Sequence, residues 1–312
     1  MKKRERRKKE KEMTKKLKER SSYKILRRIA FTFILTVALA FTVALTASAA
    51  SGEEDFKYDF PDDAASVNVN YNGRSVLSGE AAIIDDVTYV PLRSFSELCE
   101  AESIEWNSRT RTATVKKYNM SANISQKLNY IEASGRYFYL ENPVKNIDDR
   151  LFVPVRSLAK IFSLDVEWNS KSRTVVLKST NKTLASGAKF YNSDDLYWLA
   201  RIIHAESSGE PLLGKIAVGN VVINRKNSQS YPNTIYGVIF DRKNGTQFSP
   251  VALGTIYNTP SEESLIAAKI CLEGYTLSDS ILFFMNPRIA TNNWIANNRK
   301  FAFRIGNHYF YY

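Results

Sequence analysis

"TYVPLRSFSELCEAESIEWNSRTRTATV", Thr88 to Val115, returns downstream as "LFVPVRSLAKIFSLDVEWNSKSRTVVL", Leu151 to Leu177. Pro91 and Pro154 lie 63 residues apart, and Trp106 and Trp168 lie 62 apart. Upstream, Asn72-Gly73 and Ser134-Gly135 are turn signals with the same spacing of 62. Each unit therefore reads as hairpin, strand, short helix, hairpin. Leu92, Phe95 and Leu98 make one apolar helical stripe; Val155, Leu158 and Phe162 make the other. Pro91 and Pro154 stand at the helix starts, where proline is tolerated. "EWN" opens a strand pair closed through "NSRT" or "NSKS". Core packing is the expectation for Trp106 and Trp168, ahead of a sugar-stacking role. An ion pair or hydrogen bond is the expectation for Arg93 and Arg156.

Working outward, residues 1–28 hold 15 of the 44 Lys and Arg and 4 of the 32 Asp and Glu. The remainder is 29 basic against 28 acidic, so the formal charge of +12 belongs to a tail. A tail is not a charged folded surface, and no nucleic-acid partner is expected. The tail runs into "IAFTFILTVALAFTVALTASAA". A basic head, a charge-free apolar run and Ala47-Ser48-Ala49 make a secretory signal. The run from Ile29 to Leu45 also nears bilayer-spanning length. Uncleaved, it would be a single anchor with its basic end in the cytoplasm. Export with cleavage is the expectation; either way the rest of the chain lies outside the cytoplasm. The membrane would be met only through this segment.

The organisation that follows is a basic head and signal at 1–50, an acidic spacer at 51–66, the repeats at 67–178, a polar linker at 179–192 and a second domain at 193–312. A chain of 312 residues can hold two or three cores. In the second domain Ser193 reads as an N-cap, with Asp194 and Asp195 in the first turn. Leu196, Leu199, Ala200 and Ile203 form one stripe of the helix it opens. Pro211 begins an apolar helix, and Thr259-Pro260-Ser261-Glu262 reads as a capping box with Pro in the first turn. "ILFFMNP" and "RIGNHYFYY" are aromatic and favour strands. The fold class is α+β: a repeated strand-hairpin and short-helix domain, then an α-rich domain with a small sheet.

Chemistry has few places to sit. The repeats contain no histidine and their carboxylates are scattered, so no metal is expected there. The two histidines, His204 and His308, lie in no metal-binding motif, and no cofactor is implied. Cys99 and Cys271 fall in different domains and indicate no disulfide scaffold. Cys271 with His308 could build an amidase, but the helix around Cys271 reads as core. Glu206 stands where the apolar stripe should continue, just before Ser207-Ser208-Gly209. Burial there would raise its pKa and fit it to donate a proton; a helix-end carboxylate paired with Lys or Arg fits the position equally well. Glu210 follows after the chain has turned. Gln247 and Phe248 follow the Asn244-Gly245 turn and could line a groove, or be a loop amide and a core aromatic. Asn286 and Trp294 could contact sugar, with core packing ahead for Trp294. His308 reads as structural, its ring hydrogen-bonded beneath the site, ahead of a role in proton transfer, and is a candidate substrate-binding residue.

The segments "VPLRS"/"VPVRS" and the paired "EWN" runs resemble the copper amine oxidase N-terminal-like domain of many exported proteins of Gram-positive bacteria. "LARIIHAESSGEPLLGKIAVGNVVINR", "YPNTIYGVIF", "QFSPV", "FFMNP" and "RIGNHYFYY" occur in that order. Together they resemble the spore cortex-lytic, SleB/CwlJ-type cell wall hydrolases. That resemblance implies a lysozyme-like fold similar to lytic transglycosylases. It also implies that Glu206 is the single catalytic acid and that the substrate is the glycan strand of peptidoglycan, spore cortex in germination. The product would be a 1,6-anhydro-muramyl end. The repeats would hold wall or a protein partner. Two departures stand out: His204 where the family usually has an aromatic, and Ser207-Ser208 where it has Ala-Arg. They keep open a rival reading, a non-catalytic wall-binding or assembly protein.

Overall fold

The computed structural model describes residues 56–243, 245 and 247–312. The basic head and the signal or anchor lie outside the described residues. Among the described residues no helix is long and apolar enough to cross a membrane.

The two repeats meet strand to strand. Val87–Pro91 pairs antiparallel with Arg150–Pro154, and Val90 stands opposite Val153. These valines are equivalent positions of the repeat, so a pseudo-two-fold axis passes between them. Ala82–Ile84 and Lys145–Ile147 flank the pair, with Ala65–Ser66 at one edge. The connecting turns are Asp85-Asp86 (φ 50° and 62°) and Asp148-Asp149 (φ 47° and 55°). Two successive left-handed residues match the strand twist of a tight hairpin, and Asp tolerates them. Directly after Pro91 and Pro154 come helices α1 (Leu92–Leu98) and α2 (Val155–Phe162). Both prolines hold the cap position, one residue ahead of the helix start. The helices bury Phe95 against Phe162, ring centroids 5.9 Å apart.

Each repeat exchanges a hairpin with the other. The hairpin Leu164–Asn169/Thr174–Ser179 continues into Asn68–Tyr71, with Thr174 to Leu177 running parallel to Asn68 to Tyr71. The hairpin Ser103–Asn107/Thr112–Lys117 reaches Tyr130–Ala133 and Arg136–Tyr139 through an added strand, Met120–Ser125. Val115, Ile124, Leu158 and Leu177 lie in the shared core, fully buried.

The tryptophans are not in that core: Trp106 is 51% exposed and Trp168 42%. Each sits on the outermost strand of its sheet, so no neighbour covers its outer side. Ala113 and Val175, directly opposite in register, take the buried places. Among the described residues Arg93 pairs only with Glu97, at 3.8 Å on the exposed surface. Arg156 is exposed and has no ion pair among the described residues.

Residues 55–312 form one compact unit. Within it, the segment expected as a linker is packed. Its helical turn α3 (Gly187–Phe190) donates from Gly187 N to the Ser134 carbonyl at 2.8 Å. A Cβ on Gly187 would stand 2.4 Å from the Gly135 oxygen, so the close approach requires glycine. Beside it Arg136 makes two hydrogen bonds to Glu273, 2.8 and 2.6 Å, and the Tyr191 hydroxyl donates to the same carboxylate at 2.7 Å.

The helical half follows. α4 (Ser193–Ser207) is capped by Asn192, whose side chain accepts from Asp194 N and Asp195 N. Ser193 is therefore already inside the helix. α5 (Leu212–Asn227) is buried along most of its length, with Pro211 at the cap. α6 (Ile235–Ile239) and α7 (Ser249–Leu253) are short. α8 (Glu262–Leu272) is capped by Ser261, which accepts from Ser264 N. That cap falls two residues later than the Thr259 capping box expected from sequence. α9 (Trp294–Asn298) precedes the last hairpin. Gly219 lets α4, α5 and α8 meet: a Cβ there would lie 2.7 Å from Cys271 Sγ and 2.8 Å from Ile203 Cδ1. A three-stranded sheet, Phe283–Met285, His308–Tyr311 and Phe301–Ile305, closes the half.

Candidate active site

Glu206 occupies the last turn of α4. It is mostly buried, and among the described residues its carboxylate has no hydrogen-bond or ion-pair partner. Burial raises its pKa from 4.5 to about 7; the charge of Arg225 acts in the opposite direction. Near neutral pH the group is thus both protonated and ionised in comparable amounts, the state from which a proton can be given and taken back.

Arg225 was not foreseen from sequence. It projects from the last turn of α5 and is 5% exposed. Its Nε donates to the Leu282 carbonyl at 2.8 Å, while Nη1 is buried without a partner. The guanidinium lies 5.1, 5.2 and 5.5 Å from the ring centres of Phe248, Tyr231 and Phe283. Asn220 and Asn224 of the same helix hold the carbonyls of Tyr275 and Ile281 at 2.9 and 3.0 Å. This polar edge of α5 fixes the loop that enters the small sheet. The available signal was three polar residues, Asn220, Asn224 and Arg225, inside an apolar helix.

Glu210 is taken up structurally. Its carboxylate accepts from Asn307 N and Nδ2, both at 3.0 Å, and its carbonyl accepts from Lys215 Nζ. Lys215, itself buried, also pairs with Glu263 at 2.6 Å. His204 turns toward α8, where Nδ1 accepts from Ser261 N at 3.3 Å and sits 3.4 Å from the Ser264 hydroxyl. These contacts secure the start of α8.

The structure gathers several of the other expected residues around Phe283 and Phe284. Phe248 is 2% exposed, with its ring 6.4 Å from Phe284. Having no free surface, it supports the site from beneath and offers nothing to a sugar. His308 is likewise buried, 5.3 Å from Phe284. Its Nδ1 is unpartnered, contrary to the hydrogen-bonded ring expected, and burial lowers its pKa against the charge of Glu210. Trp294 is 48% exposed rather than core-packed, 6.5 Å from Phe283, with the Arg299 guanidinium 5.1 Å from its ring. Gln247 donates to the Gly245 carbonyl at 3.3 Å. Asn286 accepts from Arg288 N at 3.0 Å and builds its turn. Cys271 is buried, its thiol held protonated by burial, and its Sγ is 3.4 Å from the Ile216 carbonyl. A nucleophile needs the opposite setting. Among the described residues no three His, Cys, Asp or Glu side chains cluster to hold a metal.

Comparison with known proteins matches two separate stretches of the chain. Residues 70–177 match the copper amine oxidase N-terminal domain family, and residues 209–311 match the cell wall hydrolase family. The second match begins three residues after Glu206. The first stretch contains no histidine, and its Cys99 is buried in the core. A spore cortex-lytic enzyme of Bacillus cereus is 38% identical over 120 residues, 38% of this chain and 45% of that one. The spore cortex-lytic enzyme of Bacillus subtilis is 36% identical, over 38% of each chain. The chain thus spans less than half the length of these curated relatives. The solved catalytic domain of the germination-specific lytic transglycosylase SleB from Bacillus anthracis is 37% identical; the match covers 41% of this chain and all of that one, with a TM-score of 0.36.

Proposed function

From a chain that joins a copper amine oxidase N-terminal domain to a cell wall hydrolase domain, homologous to spore cortex-lytic enzymes, we propose a peptidoglycan lytic transglycosylase. It acts outside the cytoplasm on the glycan strand, spore cortex being the substrate suggested by the relatives' names. One observation carries the reading: a single carboxyl, Glu206, unpaired and desolvated, with its pKa near 7.

In the reaction, Glu206 gives its proton to the glycosidic oxygen between the muramic acid and the next glucosamine. The C1–O bond breaks and the leaving sugar departs as an alcohol. The carboxylate then takes the proton from the 6-hydroxyl of the same muramic acid. That oxygen bonds to C1, closing the 1,6-anhydro ring and returning Glu206 to its starting state. No second carboxylate is needed, unlike in two-carboxylate glycosidases. Arg225 steadies the transient carboxylate without sharing its protons. Trp294, Gln247 and Asn286 are proposed to hold sugar; the repeats are proposed to retain the protein on the wall.

Digestion of purified peptidoglycan followed by mass spectrometry of the fragments tests this. Anhydro-muramyl ends are expected, and Glu206→Gln should abolish them. Reducing ends would leave simple hydrolysis, free peptide stems an amidase, and tight sedimentation with wall but no fragments a binding protein.

A further inference from the structure

Two clefts open on the repeat domain at equivalent places, of about 660 and 550 Å³. Both fall inside the roughly 300–1,000 Å³ range of small-ligand sites. The first is walled by Arg93 and Ser94 from the start of α1, Glu105 and Trp106 from the edge strand, and Asp149. The second is walled by Arg156, Ser157, Glu167, Trp168 and Asp86. These are the same residues of the repeat, in each case with the aspartate supplied by the other repeat. Each cleft is therefore completed across the pseudo-two-fold axis.

The settings are duplicated in detail. Lys116 holds Glu105 at 3.0 Å, and Lys178 holds Glu167 at 3.0 Å. The Asn107 side chain accepts from Arg109 N and Thr110 N; that of Asn169 accepts from Lys171 N and Ser172 N. Some buried positions have drifted between the copies, Leu92 against Val155 and Ala113 against Val175, while Val90 and Val153 have not. Nor have the exposed Arg, Glu and Trp. Packing constrains interior positions most, so the identity of these exposed side chains in both copies is not explained by the core and points to a shared ligand. A half-exposed indole supplies a flat face for the C–H surface of a pyranose. The surrounding Arg, Glu and Asp supply donors and acceptors for hydroxyl, acetamido and carboxyl groups.

We propose that the two clefts are glycan-binding sites, with Trp106 and Trp168 as the stacking platforms and Arg93 and Arg156 as the polar anchors. The choice of a wall glycan as ligand rests on the function proposed above.

The test uses the full chain carrying Glu206→Gln, so that binding is read without cleavage. Tryptophan fluorescence and calorimetry follow titration with peptide-free glycan strands, with N-acetylglucosamine tetramer and with released stem peptide. Three glycan sites per chain are expected, two on the repeats and one at the active site, falling to two in Trp106→Ala and in Trp168→Ala. In the double variant, affinity for glycan should drop at least about tenfold, and pelleting with insoluble wall should fall with it, because two weak sites act together. Trp106→Phe and Trp168→Phe, which keep a ring and the fold, should retain intermediate binding. Undiminished glycan binding by the double variant overturns the proposal, as does binding of stem peptide in place of glycan. Cleavage by the unaltered chain is scored separately: wall cleavage without glycan binding at the repeats sinks this inference alone, and glycan binding without cleavage sinks only the enzymatic reading.

Discussion

Glu206→Gln should stabilise the protein as it removes activity, and the gain should depend on pH. A carboxyl whose pKa is raised on folding, here from 4.5 to about 7, binds its proton more tightly in the native state. Below pH 4.5 both states are protonated and the native state carries no ionisation cost. As pH climbs from 4.5 through 7, the unfolded chain gives up the proton first and stability falls. Above pH 7 the native state must bear a desolvated carboxylate. At about 1.4 kcal/mol per tenfold change in proton affinity, the full difference is roughly 3 kcal/mol. Gln is nearly isosteric and never ionises. Its variant should match the parent at pH 4 and exceed it by about 2–3 kcal/mol at pH 8, a melting-temperature rise on the order of 5 °C or more for a unit of this size. Urea unfolding followed by far-ultraviolet circular dichroism at the two pH values measures this. A pH-independent difference, or a less stable variant at pH 8, would refute the picture of a desolvated, unpaired acid.

Arg225→Gln removes the charge that favours ionised Glu206, so the alkaline limit of glycan cleavage should move to higher pH, while Arg225→Lys should leave it near the parent's; pH–rate profiles on soluble fragments decide. Gly306 has φ of +55° and a Cβ there would lie 1.8 Å from Glu210 Oε2. Gly306→Ala should therefore cost about 2–4 kcal/mol in denaturant unfolding. Arg136→Ala strips the cation from Glu273, which is 4% exposed. A loss of about 3–5 kcal/mol is expected, with faster proteolysis in 179–192; an unchanged cleavage pattern would count against the docked arrangement. Burial pushes the Cys99 thiol up to about 12 and raises that of Cys271 too. Neither should react with a disulfide reagent until denaturant is added, and a fast native thiol would revive the amidase reading.

The repeat was legible because its period is carried by residues with local meaning: the prolines that end a strand and begin a helix, and the turn signals at Asn72-Gly73 and Ser134-Gly135. Hairpin exchange between the copies was not. A period says what a unit is, and never which neighbour a strand pairs with. Trp106 and Trp168 were misplaced for the same reason, since whether a strand lies at a sheet edge is set by topology. Glu206 stood out because it interrupts an apolar stripe. Arg225 stayed hidden because the helix around it reads as plain core, and its value comes from rings and carbonyls far away in sequence. Phe248 and His308 lie near the expected place yet have no surface left, a matter of packing that local pattern does not encode.

The Val90–Val153 pair has a directional consequence. A two-fold axis reverses any arrow that crosses it. A glycan strand has a reducing and a non-reducing end, so a straight strand passing both clefts would meet the second one backwards. One strand therefore cannot satisfy both in the same sense. Two strands of opposite polarity can. A molecule gripping the wall in that way would straddle neighbouring strands, and the polarity of each would fix the heading of the attached helical half.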